Sequence, residues 1–161
     1  MDRIYVETTV ISYLTARPSR DVVIAGHQAV TSKWWETAAA KYELYISRAV
    51  LAEIQAGDPV EAARRVQLVQ GMTMLEYTSE VTDLIDVYSQ RLGLSGRALV
   101  DVPHIAFAVA AEIDFLVTWN CSHLASANVI RRLANVNEEL NRKTPIIGTP
   151  EFLPDDEDGD S

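Results

Sequence analysis

The chain has 161 residues, 48% hydrophobic and 23% charged, with 23 acidic side chains against 14 basic ones and a formal net charge of −9. That length fits one domain of common size, the composition is that of an ordinary globular protein, and the charge excludes a broad, sequence-independent nucleic-acid footprint, which needs an excess of Lys and Arg. With no leader-like N-terminus, no apolar run near the ~20 residues of a membrane helix and a single cysteine, Cys121, a cytoplasmic protein with no membrane partner and no disulfide framework is expected.

In chain order, residues 4–6 form a short β-rich run, and Thr8 and Thr9 are placed to cap a helix through Leu14. Pro18 and Ser19 break that pattern. Asp21 opens a long helix to about Tyr42, with Val23, Val30, Trp34 and Ala38 near helical spacing. Residues 44–46 read as a second strand, and Ser47 caps a helix over 48–56 that stops at Gly57-Asp58-Pro59. Pro59 suits the first turn of a further helix to about Gln70, where its missing N–H costs little, and Gly71 closes it.

Residues 73–75 are a third strand, followed by a helix from Ser79 to about Leu92 with Val81, Leu84, Ile85 and Tyr88 on one face. Gly93, Ser95 and Gly96 read as loop. The run 102–112 is apolar nearly all round, as expected of a buried helix. A strand at 115–117, a helix from Ser122 to about Leu140 and a strand at 145–147 complete the pattern. Strands alternating with helices predict an α/β fold, a parallel sheet flanked by helices in three layers. Residues 1–154 are expected to be one domain. Residues 155–161 form an acidic tail with the composition of a disordered segment.

Several polar residues fall where ligands bind in such sheets, at the carboxyl ends of the strands. Glu7 directly follows the first strand. Glu53 lies on the helix after the second strand, beside its apolar face. Asp101 stands at the start of the buried helix, where capping and metal binding are compatible, because a helix N-terminus stabilises an ionised carboxylate. Thr118 and Asn120 follow the strand at 115–117, and Asn120 also suits a turn. His104 reads as a structural or hydrogen-bonding residue, not a ligand. Three carboxylates, Glu7, Glu53 and Asp101, suffice to hold one Mg²⁺ and an activated water for attack on a phosphodiester. With Asn120 neutral, a second ion would bind more weakly.

Other chemistries fit less well. At Gly93-Leu94-Ser95-Gly96 the nucleophile elbow fails, since Arg97 stands where glycine is needed. His104, Cys121 and His123 lack the paired spacing of structural zinc, and an aspartyl phosphate needs Asp where Glu7 stands. There is neither a P-loop nor a dinucleotide-binding glycine motif.

The segments Tyr5-Val6-Glu7-Thr8-Thr9-Val10-Ile11, Ala52-Glu53-Ile54, Asp101-Val102-Pro103-His104-Ile105-Ala106 and Leu116-Val117-Thr118-Trp119-Asn120-Cys121-Ser122-His123-Leu124 together resemble the PIN domain, specifically the VapC-like toxins of bacterial toxin–antitoxin pairs. The resemblance runs over about residues 1–154. It implies a PIN-like, Rossmann-like sheet and a Mg²⁺- or Mn²⁺-dependent endoribonuclease acting on an RNA substrate. It further implies a homodimer and a cognate antitoxin that blocks the site. By position, Glu7, Glu53, Asp101 and Asn120 match the family's four catalytic positions, of which the first and the fourth are commonly Asp. The amide at Asn120 keeps a second reading open, a PIN-fold binding or dimerisation module with little or no turnover. Arg17, Arg20, Arg48 and Arg97 are candidate phosphate contacts.

Overall fold

The computed structural model describes residues 1–153, so the acidic segment 155–161 lies outside the described residues. Five parallel strands, β1 (Arg3–Val6), β2 (Glu43–Ser47), β3 (Thr73–Leu75), β4 (Phe115–Val117) and β5 (Ile146–Gly148), form one sheet in the order β3-β2-β1-β4-β5. Central β1 carries Ile4, Tyr5 and Val6 at zero exposure, the unbroken apolar run expected of a parallel strand covered on both faces.

Seven α-helices connect the strands. The first four, α1 (Thr8–Thr15), α2 (Val22–Lys41), α3 (Arg48–Ile54) and α4 (Pro59–Leu68), lead the chain from β1 out to β3 and pack on one another. The last three, α5 (Ser79–Arg91), α6 (Val102–Ala110) and α7 (Ala127–Glu139), lead it back across the sheet to β5 and pack together. Since crossovers are right-handed, the two directions of travel place these groups on opposite faces, giving three layers. Travel reverses between β1 and β4, and a crevice opens there at the carboxyl ends of the strands.

Most helix starts follow their caps. Asp21 accepts from the N–H groups of Val23 and Ile24, Asp58 from those of Val60 and Glu61, and Ser47 from that of Val50. Four local expectations need correction. Thr8 and Thr9 lie inside α1, and the cap is Glu7, whose carboxylate accepts from the Thr9 N–H. Asp101 holds the cap position of α6 but makes no capping bond, because a 3₁₀ turn over Gly96–Asp101 leads directly into that helix. Residues 121–125 are turn, so α7 starts later than expected, at Ala127, under the Ser126 cap.

The fourth correction concerns α2. Val23 and Val30 face solvent at 64% and 36% exposure, while Thr31 and Ala38 are fully buried. Its inward face is set by a polar contact, the Trp119 indole N–H donating to Thr31 Oγ1 at 2.8 Å, which selects the row of residues 27, 31, 34 and 38 over the valines. Among the described residues, no helix is long and apolar enough to cross a membrane.

Candidate metal centre

Glu7 leaves β1 at the point where travel across the sheet reverses, and its backbone N–H still joins the ladder by donating to Val117 O at 3.1 Å. Its side chain is 3% exposed. Three donors converge on Oε2: the Thr9 N–H at 2.9 Å, the Thr9 hydroxyl at 2.5 Å and the Thr118 hydroxyl at 2.8 Å. Each hydroxyl is oriented in turn by a backbone N–H of the segment after β4, since Trp119 donates to Thr9 Oγ1 and Asn120 to Thr118 Oγ1. Oε1 receives no hydrogen bond among the described residues. The two strand ends are thus sewn together around one carboxylate, with one oxygen committed and one in reserve.

Glu53 reaches the same place from α3. Its Oε1 accepts from His104 Nε2 at 2.7 Å, and His104 lies fully buried in the first turn of α6. The other ring nitrogen, Nδ1, is 2.7 Å from the Tyr5 hydroxyl, which is itself 2.7 Å from Ser47 Oγ. Ligand atoms of Glu7, Glu53 and His104 all fall within 4.8 Å of one another. Burial alone would raise the Glu53 carboxyl, but the His104 hydrogen bond and charge, helped by nearby Thr8, outweigh it and hold the group below its usual value. Burial alone would likewise lower His104, and Glu53 above all, then Glu7 and Asp101, push it up instead. Tyr5, raised chiefly by burial, stays a neutral phenol.

Asp101 and Asn120 form the second half of the site. Asn120 Nδ2 donates to Asp101 Oδ2 at 3.1 Å, His123 Nδ1 lies 3.0 Å from the same oxygen, and Asn120 Oδ1 accepts from the His123 N–H at 2.9 Å. Both amide ends of Asn120 are therefore engaged within the protein. The carboxylate of Asp101 lies close enough for its charge to act on His104, although it is not in the tight group that Glu7, Glu53 and His104 make.

The donor set fits a hard divalent cation. Two carboxylates whose oxygens approach this closely repel one another unless positive charge is brought to them, by the His104 imidazole that Glu53 binds or by a cation, and Mg²⁺ is ordinarily held by one or two carboxylates plus waters. Thr8 Oγ1, a buried hydroxyl in the same place, makes no hydrogen bond of ordinary length among the described residues and lies near the Glu53 carboxylate, which it helps to hold in its charged form.

Among the arginines singled out in sequence, Arg48 is held by Glu76 through two bonds of 2.7 Å, whereas Arg17, Arg20 and Arg97 are exposed. Sequence reading placed Thr118 at this edge but passed over Tyr5 as part of the site and took Ser47 and Thr9 only as helix caps. The available signal was a tyrosine inside an otherwise aliphatic buried strand, whose hydroxyl has to find a partner.

No protein-family profile matches the chain, and no curated protein matches it by sequence. Solved structures do match. VapBC2 from Rickettsia felis, bound to a DNA fragment from their promoter, aligns with a TM-score of 0.58 at 17% identity, covering 89% of this chain and 96% of that one. The fold is the PIN fold of the VapC proteins. VapC20 from Mycobacterium tuberculosis, a sarcin-ricin loop cleaving toxin, aligns with a TM-score of 0.57 at 16% identity over 77% of this chain and 95% of that one. At such identities the likeness speaks for the PIN fold alone, and the chemistry has to be argued from the side chains.

Proposed function

We propose that this protein is a Mg²⁺- or Mn²⁺-dependent endoribonuclease, the toxin of a toxin–antitoxin pair, acting in the cytoplasm as a homodimer that a cognate antitoxin restrains. The observation that carries the reading is the convergence of the Glu7 and Glu53 carboxylates at the carboxyl edge of a PIN-type sheet. Asp101 adds its charge from the start of α6. Glu7, Glu53 and Asp101 would hold the ion, which when bound would supply an acidified water and offset negative charge on the scissile phosphate. Thr9 and Thr118 fix the Glu7 carboxylate, and His104 fixes that of Glu53. His123, partly exposed beside Asp101, is placed to meet substrate at the rim.

The assay is cleavage of RNA by purified protein with Mg²⁺ or Mn²⁺ against a chelator control. Asp101→Asn is expected to abolish cleavage while circular dichroism stays unchanged, and full activity in that variant would refute the assignment. One observation favours the second reading, a PIN-fold binding module with weak turnover: Asn120 engages both ends of its amide with Asp101 and His123, so it brings no charge to a second ion and only an oxygen already shared with a backbone N–H. Metal-independent RNA binding without cleavage would support that module instead.

A further inference from the structure

We propose that Ser47, Tyr5 and His104 form a buried hydrogen-bonded chain that positions Glu53 for cation binding, making them positioning residues of the metal centre. This rests on the reading of Glu7 and Glu53 as cation ligands. The chain crosses the core from β2 through β1 to α6 and ends on a carboxylate at the surface, since His104 is fully buried while the Glu53 side chain is 36% exposed. Its links are 2.7 Å each, Ser47 Oγ to Tyr5 Oη, Tyr5 Oη to His104 Nδ1, and His104 Nε2 to Glu53 Oε1.

The direction of the last link does not depend on the charge of the ring. A carboxylate only accepts, so Nε2 carries a proton toward Glu53 in both the neutral and the charged imidazole. In the neutral ring Nδ1 accepts from the Tyr5 hydroxyl, which accepts from Ser47. In the charged ring Nδ1 donates to Tyr5, which donates to Ser47. Either way the tyrosine keeps the ring from rotating, and the ring commits Oε1 and reserves the other carboxylate oxygen for the ion.

Ser47 ties the device to the backbone as well. Its Oγ accepts from the Val50 N–H at the first turn of α3, the helix that carries Glu53. One hydroxyl therefore sets both where that helix begins and how the side chain near its end is held. A histidine kept only for packing would need neither the link to an exposed acid nor the two hydroxyls lined up behind it. Outer partners of this kind typically change metal affinity by about 10–100-fold.

The test is Mn²⁺ binding by calorimetry on the full chain without RNA, beside thermal unfolding in chelator. His104→Leu is expected to weaken Mn²⁺ binding by about tenfold or more. His104→Gln, whose amide can still donate to Glu53, is expected to recover most of that loss. Tyr5→Phe removes one hydroxyl and little volume, and is expected to weaken binding measurably; should His104→Leu fail to fold, Tyr5→Phe decides. Unchanged Mn²⁺ affinity in His104→Leu or Tyr5→Phe, beside a clear loss in Glu53→Gln, would overturn the positioning role and leave the metal centre standing. Wild-type protein that binds no Mn²⁺ would overturn both.

Discussion

Asn120 shows how one atom changes a site. Its Nδ2 donates to Asp101 and its Oδ1 accepts from a backbone N–H, so replacing the amide with a carboxylate would set two negative oxygens about 3.1 Å apart and remove a donor. In chelator, Asn120→Asp is expected to lower the melting temperature, and added Mn²⁺ should restore it by joining the two acids. Differential scanning with and without the ion reads this, and equal melting temperatures in both conditions would place position 120 outside the site. At this scale the sequence was informative about which residues would gather, since Glu7 and Glu53 do approach one another. It was silent about how they are held: the Thr118 hydroxyl reaches Glu7 across 111 residues and the Trp119 N–H braces Thr9 across 110, and local spacing carries no trace of such pairings.

Elements were legible wherever a cap and a buried stripe agreed. Val81, Leu84 and Tyr88 are buried on α5, as their spacing suggests, and the strand at 115–117 falls where the apolar run puts it. On α2 periodicity misled, because the valines that look like a stripe are outcompeted by Thr31, a polar residue buried for its bond to Trp119. The start of α7 was misplaced because Asn120 and Ser122 look like caps but serve the turn before it, leaving that task to Ser126. Caps also give measurable expectations. Asp21→Ala removes the acceptor for two N–H groups at 3.0 Å and is expected to cost about 1 kcal/mol in denaturant unfolding; a cost near zero would mean that α2 holds its start by packing alone. Between α5 and α7, the buried Tyr88 hydroxyl donates to Asn137 Oδ1, and burial, against smaller opposing effects of Arg142 and Asn137, pushes the phenol up to about 12. Tyr88→Phe orphans that oxygen and is expected to cost about 1–3 kcal/mol by the same measurement.

For the molecule as a whole, alternation of strand and helix predicted a parallel three-layer fold, but not the strand order. Which strand lies beside β1 is decided by how seven helices cover two faces, a sum of packing terms that no single segment displays. The two ends of the sheet have separate tasks. Opposite the acidic crevice, Asp114 accepts from the Arg3 N–H at 2.8 Å and pairs with Lys143, joining β1, β4 and the approach to β5. Those two contacts, the Arg3 bond first, overcome partial burial and hold its carboxyl below the ordinary 3.8. With the folded value depressed, its stabilisation is complete above the unfolded value and fades as pH falls through the folded one. Wild type is therefore expected to exceed Asp114→Asn in urea midpoint at neutral pH and to converge with it in acid, whereas a constant gap down to about pH 2 would exclude the carboxylate as the cause. With a formal charge of −9, RNA affinity is expected to fall only shallowly with salt, since few phosphates can be neutralised.

The carboxylate of Glu7 is at once a prospective ligand and the residue that starts α1. Changing it to disarm the protein would also unfasten the segment that follows, so a silent variant made there confounds lost chemistry with lost architecture. Asp101, which fastens no helix of its own, is the better place from which to make a harmless form for trapping substrate or partner.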